Sequence, residues 1–70
     1  MDVRLNTCVI IRKNGEFLVG KSSMTGKYMW SIYRNDAWRT RSRKEAREVA
    51  RKTGGIEILY NPIVNQMRIL

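Results

Sequence analysis

Arginines are concentrated in one stretch of this sequence, where they could bind phosphate. Seven of the fourteen Lys and Arg residues lie between Arg39 and Lys52, and that stretch holds only two acidic residues, Glu45 and Glu48. The planar guanidinium fork matches phosphate oxygens better than an ammonium does, and arginine outnumbers lysine here by five to two. The candidate phosphate- or nucleic-acid-binding residues are Arg39, Arg41, Arg43, Arg47 and Arg51.

Three of these arginines recur at intervals of four. On a helix, Arg43, Arg47 and Arg51 would form a row away from Val49, and no acidic residue stands four positions from any of them. Two interpretations stay open. The row binds an anion, or it is the solvated face of an amphipathic helix, as most charge runs are.

Aromatic side chains offer a second kind of contact, because nucleic-acid bases stack on their faces. Tyr28 and Tyr33 stand near expected loops and are the candidate stacking residues. Trp30 and Trp38 are expected to be mainly structural, since a chain of 70 residues needs its large apolar side chains for the core.

A phosphate-loop pattern covers residues 15–22. Gly15, Gly20, Lys21 and Ser22 fit G-x-x-x-x-G-K-[ST], which cradles phosphate in nucleoside triphosphatases. That loop must follow a strand and open a helix, so that backbone amides point at the phosphates. Here the intervening Glu-Phe-Leu-Val is strand material after a turn. We therefore expect a strand here, without a nucleotide site.

A second motif lies in the expected helix. Arg47-Glu48-Val49 and Gly54, with the upstream residues 9–30, resemble the helix and leading strands of Nudix pyrophosphohydrolases. The resemblance implies Mg²⁺-dependent hydrolysis of a diphosphate. Cations at metal-binding positions repel Mg²⁺, so no hydrolase activity is expected. The departures from the family are Tyr33 for glycine, Arg39 for the first glutamate, and Arg51 and Lys52 for the metal-binding pair.

Cys8 is the single cysteine, and the sequence contains no histidine. Without an obvious base to activate it, the thiol is expected in or near the core instead of in a catalytic site. A lone thiol also excludes an intramolecular disulfide and, without histidine, the usual zinc ligand sets. We expect no catalytic residue, no metal and no cofactor.

The first third of the chain predicts a β-hairpin. β-Branched residues over positions 5–13 indicate a strand, and Asn14-Gly15 is typical of a type I′ turn. Residues 16–21 are the returning strand. Residues 22–27 have the composition of a loop.

The middle of the chain predicts a third strand and a turn. Residues 28–33 alternate as a strand, and residues 34–36 indicate a turn. Residues 38–41 predict a short strand that leads into a helix, although Asp36 could instead cap a longer helix that includes Trp38.

A capping box marks the helix start at Arg43. The oxygen of Ser42 would accept from a first-turn amide, and Glu45 would reach back to the serine amide. Gly54 supplies the stop. Small residues at helical spacing form the stripe that packs on a sheet: Ala46, Val49, Ala50 and Thr53.

The last part of the chain predicts β-structure. Residues 56–60 are a strand, Asn61-Pro62 interrupts it, and residues 63–70 form a final strand or tail. The elements predict one α+β domain over residues 1–70. It contains a small antiparallel sheet, made of the hairpin, the third strand and a C-terminal strand, with the helix packed on one face.

Size and charge restrict the class of protein. A 70-residue chain without disulfide or metal often completes its core by oligomerising, so a homo-oligomer is predicted. The formal net charge of +8 favours nucleic acid, nucleotides, anionic membranes or acidic proteins as partners, although it also serves solubility alone. No apolar run approaches the roughly 20 residues that span a bilayer, and no signal peptide is evident, so the expected location is the cytoplasm.

Residues 5–20, 36–42 and 60–64 resemble small uncharacterised proteins encoded in prophages of Gram-positive bacteria. That resemblance implies a non-enzymatic accessory protein that acts by binding in the host cytoplasm, for example in counter-defence. The predicted partner is phosphate-rich, nucleic acid or nucleotide. The alternative is an inhibitor that docks on an acidic surface of a host defence enzyme, with aromatic anchors.

Overall fold

The computed structural model describes residues 7–70, which fold into one antiparallel sheet and one α-helix. This arrangement confirms the predicted α+β class. The sheet runs in the order β3-β2-β1-β4-β5, so the first strand lies at its centre. The elements are β1 (Cys8–Lys13), β2 (Glu16–Lys21), β3 (Tyr28–Ser31), α1 (Arg43–Thr53), β4 (Ile56–Asn61) and β5 (Gln66–Ile69).

The predicted hairpin is confirmed. Asn14 and Gly15 have φ values of 52° and 78°, the two positive values that a type I′ turn requires. β1 begins at Cys8, later than predicted, because Thr7 is not in the strand; predicted positions 5 and 6 lie outside the described residues. Because side chains alternate along β1, successive residues of this strand point to opposite sides of the sheet, one of which carries the helix.

The helix packs on one side of the sheet, which we call the helix face and define by Val9 and Ile11. A Cβ added to Gly55 would stand 2.5 Å from Ile11 Cγ2, which shows how closely the chain approaches β1 as it leaves α1. Of the predicted stripe, Ala46 and Thr53 are buried, and Val49 and Ala50 are half-buried. Small side chains therefore let the helix lie close to the sheet.

The helix begins and ends where the sequence predicts. The amide of Glu45 donates to Ser42 Oγ at 3.2 Å, and Gly54 ends α1 in the left-handed region with φ 74°. The reciprocal half of the predicted capping box is wrong. The amide of Ser42 donates to Thr40 Oγ1 at 3.1 Å, so a residue before the cap takes the place of the Glu45 carboxylate.

The other side of the sheet, which we call the loop face, is defined by Cys8, Ile10, Ile58 and Tyr60. In the register between β1 and β4, Cys8 lies opposite Tyr60 and Ile10 opposite Ile58. These four side chains cluster with Phe17 and with Ala37, which comes from the segment between β3 and α1. That segment therefore covers the loop face in place of a second helix.

The segment between β3 and α1 departs from the prediction in three ways. The third strand stops at Ser31 instead of continuing to residue 33, although the turn predicted at residues 34–36 is present as a 3₁₀ turn. Residues 38–41 are not a strand, since only Thr40 makes a ladder pair, with Val9. The alternative of a longer helix that starts after Asp36 is also wrong.

The geometry of the hairpin explains why residues 38–41 fail to form a full strand. β1 and β2 pair only beside their turn, through Arg12 and Lys13. Beyond that point the amide of Trp38 donates to Leu18 O at 2.7 Å, and Thr40 exchanges two backbone hydrogen bonds with Val9. The segment thus fills the gap between two diverging strands, where there is room for single contacts only.

The C-terminal prediction is refined. β4 extends one residue further than predicted, to Asn61, whose side-chain oxygen accepts the amide of Ile63 at 3.0 Å. Residues 62–65 form a turn, which Asn65 closes with a positive φ of 56°. Only Gln66–Ile69 form the last strand, at the outer edge of the sheet. Within residues 7–70, no helix has the length and apolarity needed to cross a membrane.

Candidate anion-binding cleft

Backbone hydrogen bonds fix the two arginines that precede the helix. Thr40 bonds to Val9 in both directions, at 2.8 and 3.1 Å, and its side chain accepts the amide of Ser42. In an extended segment, neighbouring side chains point to opposite sides. Arg39 and Arg41, which flank Thr40, therefore reach the same side of the sheet.

That side is the loop face, where the two arginines border a surface cleft of about 290 Å³. Cys8 lies at the base of the cleft, and Pro62 approaches from the turn after β4. None of the residues that line it is acidic. Two arginines thus border one concave space whose lining includes no carboxylate, an arrangement that suits an anion. The lining residues are Cys8, Arg39, Thr40, Arg41 and Pro62.

Arg39 is held by an aromatic ring. Its guanidinium carbon lies 5.3 Å from the centre of the Tyr60 ring, within the range of a cation–π contact. Tyr60 itself is buried. The contact fixes Arg39 at one wall of the cleft and leaves its guanidinium edge exposed, because stacking occupies the flat face of the group and not its N–H donors.

The thiol at the base of the cleft has a raised pKa, which disfavours the nucleophilic thiolate. Burial raises the pKa of Cys8, and the positive charges of Arg39 and Arg41 offset part of that increase. The thiol donates to the carbonyl of Tyr60 at 3.6 Å. Cys8 therefore belongs to the core, as predicted, and lies near enough to Arg39 and Arg41 for both charges to favour its thiolate form.

The other three candidate arginines lie elsewhere. Arg43, Arg47 and Arg51 are all exposed on α1, which packs on the helix face. Within residues 7–70, none of the three makes an ion pair or hydrogen bond through its side chain. The structure thus divides the five predicted residues into a cleft pair and a helix row.

The candidate stacking residues are separate from the cleft. Tyr33 is exposed and borders a second groove, of about 330 Å³, also on the loop face. Tyr28 is half-buried, and Lys21 Nζ lies 5.7 Å from its ring centre. Trp30 and Trp38 are both half-buried, which agrees with a mainly structural role.

The phosphate-loop pattern has no phosphate-binding geometry. Glu16–Lys21 is the strand β2, as expected, and Ser22 starts a loop in which its hydroxyl accepts from Met24 and Thr25 amides. The next regular element after this loop is the strand β3, so no helix opens directly after the segment as a phosphate loop requires. In the part of the chain that the structure describes, no three acidic or thiol side chains group as metal ligands.

Searches of family models, curated proteins and solved structures give no match to this chain. The resemblances to prophage-encoded proteins and to a Nudix helix therefore rest on the residues quoted for them.

Four residues that line or support the cleft are absent from the sequence-based prediction: Cys8, Thr40, Pro62 and Tyr60. Thr40 lies between the two arginines, whereas the other three lie 19 to 33 positions from them in the chain. The antiparallel pairing of β1 with β4 brings these distant residues together. The one local signal was the alternation of Arg39 and Arg41 about Thr40. Alternation shows that two side chains share a side, but not what they face.

Proposed function

We propose that this chain is a non-enzymatic binding protein for a phosphate-rich anionic partner, nucleic acid or nucleotide. The observation that carries the proposal is the cleft in which Arg39 and Arg41 meet without an acidic residue. A bound phosphate would receive charge-assisted hydrogen bonds from two guanidinium groups, and such bonds are about twice as strong as neutral ones.

The helix row adds attraction at longer range. The chain carries a net charge of +8, and the exposed Arg43, Arg47 and Arg51 have no acidic partner among the described residues. Each phosphate neutralised by such a side chain makes binding more dependent on salt. A partner with several phosphates can engage the cleft and the row, whereas a single nucleotide engages the cleft alone.

A binding role agrees with the chemistry of the site. Burial raises the pKa of the thiol in the cleft, which disfavours the thiolate, and the chain has no histidine to activate it. Arginines bind a phosphate but do not transfer its protons, since the guanidinium stays charged. On the resemblance to prophage-encoded proteins, the partner would be met in a bacterial host, in a counter-defence role.

The test compares one cleft variant with one row variant. Fluorescence anisotropy would follow binding of a labelled mononucleotide at low and moderate salt. Arg41→Gln removes a charge from the cleft and is expected to weaken nucleotide binding at least tenfold, because a hydrogen bond to a charged group contributes about 1.5–3 kcal/mol. Arg47→Gln, the control with the same change of charge, is expected to change it less than about twofold.

A single-stranded oligonucleotide completes the experiment. Both variants are expected to weaken its binding. They are also expected to make the slope of log affinity against log salt concentration shallower, by about 0.7 per lost phosphate contact. The absence of any affinity for nucleotide or oligonucleotide at low salt would contradict the proposal. So would equal weakening of nucleotide binding by the two variants, since that would remove the cleft from the site.

A second candidate is supported by the groove beside Tyr33. Ile32 and Tyr33 project from the loop face with about two thirds of their surfaces exposed (64% and 66%), and Met67 forms the opposite wall. Arg34 lines the same groove. Apolar anchors beside a cation suit an acidic protein surface, the target of an inhibitor. Tyr33→Ala would abolish such an interaction and leave nucleotide binding unchanged.

A further inference from the structure

The outer edge of the sheet at β5 is the most exposed apolar part of the described chain. Five of the ten exposed large hydrophobic residues fall within the last eight positions. Ile69 alone keeps 67% of its surface exposed. Within residues 7–70, no strand pairs with the far side of β5. The five residues are Ile63, Val64, Met67, Ile69 and Leu70.

This edge is almost free of charge. From Ile58 to Leu70 the only charged residue is Arg68, whereas the whole chain carries twenty charged residues and a net charge of +8. Two copies of so basic a protein repel one another over most of their surfaces. They can approach closely only through a surface with few cations, and the C-terminal hairpin provides one.

The backbone of β5 is arranged for pairing. The amide of Leu70 donates to Glu57 O at 3.1 Å, so alternate residues of β5 bond inward to β4. By the same alternation, the N–H and C=O groups of Met67 and Ile69 point outward. Their side chains lie on the loop face, because Met67 stands opposite Tyr60 and Ile69 opposite Ile58.

We propose that β5 pairs antiparallel with β5 of a second copy of this chain, in a register centred on Met67. Met67 would then donate to and accept from Met67 of the second copy across a two-fold axis. This register sets Arg68 opposite Gln66 of the second copy, whereas a register centred on Arg68 would place two cations directly opposite each other, which is destabilising. Two five-stranded sheets become one sheet of ten strands.

The other edge of the sheet lacks these properties. β3 pairs with β2 through a bulge between Leu18 and Gly20, and bulges twist an edge away from further pairing. Lys21 also lies over the ring of Tyr28 at the start of β3. The pairing of β2 with β3 therefore contains a bulge, whereas β4 and β5 pair without one, and the single cation of β5 is Arg68.

The main test uses opposite charges at the two-fold axis. Sedimentation velocity over a range of concentrations is expected to show a dimer for the unchanged chain. Met67→Glu and Met67→Lys each place like charges opposite one another and are expected to be monomeric at the same concentrations. An equimolar mixture of the two is expected to dimerise again, because only the mixed pair brings opposite charges together.

A backbone test separates pairing from side-chain contact. Met67→Pro removes an amide that bonds outward and not to β4, so the monomer keeps its ladder. Loss of the two symmetric hydrogen bonds is expected to weaken association about thirtyfold. Met67→Val keeps the amide and is the matched control, expected to dimerise. Circular dichroism of each variant confirms that the fold is retained.

Two results would overturn the inference. One is a monomer at every concentration for the unchanged chain. The other is a dimer that persists in Met67→Pro and in both charged variants, which would place the interface elsewhere. Nucleotide affinity of Met67→Val and Met67→Pro is expected to be unchanged, since Met67 does not line the cleft and neither change alters the charge. Failure of the dimer and failure of phosphate binding are therefore read from different measurements.

Discussion

The basic segment, residues 39–52, and the C-terminal hairpin, residues 58–70, differ strongly in charge. The first holds seven cations and two carboxylates, and the second a single charge, Arg68. Both are largely exposed. The difference shows that this small protein separates two kinds of surface, a cationic one suited to anions and an apolar edge suited to strand pairing.

The two regions also depend differently on the rest of the fold. The side chains of the basic helix row make no hydrogen bonds or ion pairs with residues 7–70, so the row is available for a ligand. The hairpin is held by the sheet register, with Ile58 and Tyr60 buried against β1. Changes in the first region should alter binding, and changes in the second should alter stability or assembly.

The largest effect is expected where the two regions join, at Gly55. A Cβ at this position would lie 2.5 Å from Ile11 Cγ2 and 3.1 Å from the carbonyl oxygen of Arg12. Gly55→Ala is therefore expected to lower the free energy of unfolding by about 2–3 kcal/mol, since overpacking forces the helix away from β1. Urea denaturation measures the change.

Gly15→Ala is the comparison for that variant. Gly15 has a positive φ but no atom near the added methyl group, so its cost is about 1–2 kcal/mol of backbone strain. A smaller loss of stability in Gly55→Ala than in Gly15→Ala would contradict the overpacking expected at Gly55, which has no positive φ.

A smaller effect is expected from the cation that links the hairpin to the helix end. Lys13 Nζ donates to Thr53 O at 2.9 Å, at the C-terminus of α1, and lies 6.0 Å from the Trp30 ring centre. Lys13→Met keeps the aliphatic stem and removes the charge. The substitution is expected to lower the free energy of unfolding by about 1 kcal/mol, because a cation stabilises the negative C-terminal end of a helix. Thermal unfolding at low and high salt tests this, with the effect smaller at high salt.

The thiol of the cleft gives a smaller, pH-dependent effect. Because burial raises the pKa of Cys8 in the folded protein, the unfolded chain releases this proton first as the pH rises. The stabilisation is complete below the ordinary thiol pKa of about 8.5 and is lost as the pH rises through the raised value. The decline in stability above about pH 8.5 is expected to be shallower in Cys8→Ala.

Arg41→Gln tests the same pH dependence of stability from the side of the arginine. It removes one of the charges that lower the pKa of Cys8, so the decline should become steeper than in the unchanged chain. A decline that neither variant alters would show that the thiol and the arginines do not interact.

The smallest effect is expected from the helix row. Replacing Arg47 and Arg51 together by Gln should change the free energy of unfolding by less than about 0.5 kcal/mol, as for surface residues without partners. Thermal unfolding and oligonucleotide binding on the same sample would check it. A clear loss of stability would assign the row a structural role.

Local patterns in the sequence predicted the elements with local causes. The turn at Asn14-Gly15, the cap at Ser42 and the stop at Gly54 depend on residues within four positions of each other, and all three are confirmed. The fold class follows from their order.

Predictions of features that depend on residues far apart in the chain were wrong or incomplete. Residues 38–41 have the composition of a strand, but the gap between β1 and β2 admits only single contacts. In the cleft, Pro62 and the Tyr60 ring lie near Arg39. Residue spacing in the sequence does not predict that these residues are close in the fold. Likewise, the amide of Ser42 donates to the side chain of Thr40 and not to that of Glu45, because the backbone bridge to Val9 holds Thr40 in place.

The central position of β1 has a consequence for how the chain folds during synthesis. Its five pairs with β4 join residues between 44 and 52 positions apart, so one edge of the most apolar strand stays open until β4 has left the ribosome. At a synthesis rate of about 5–20 residues per second, that delay is several seconds. The local β1–β2 hairpin forms far sooner, in microseconds. Completion of the sheet on the ribosome therefore waits for the last strands, and the hairpin must stay free of aggregation until they arrive.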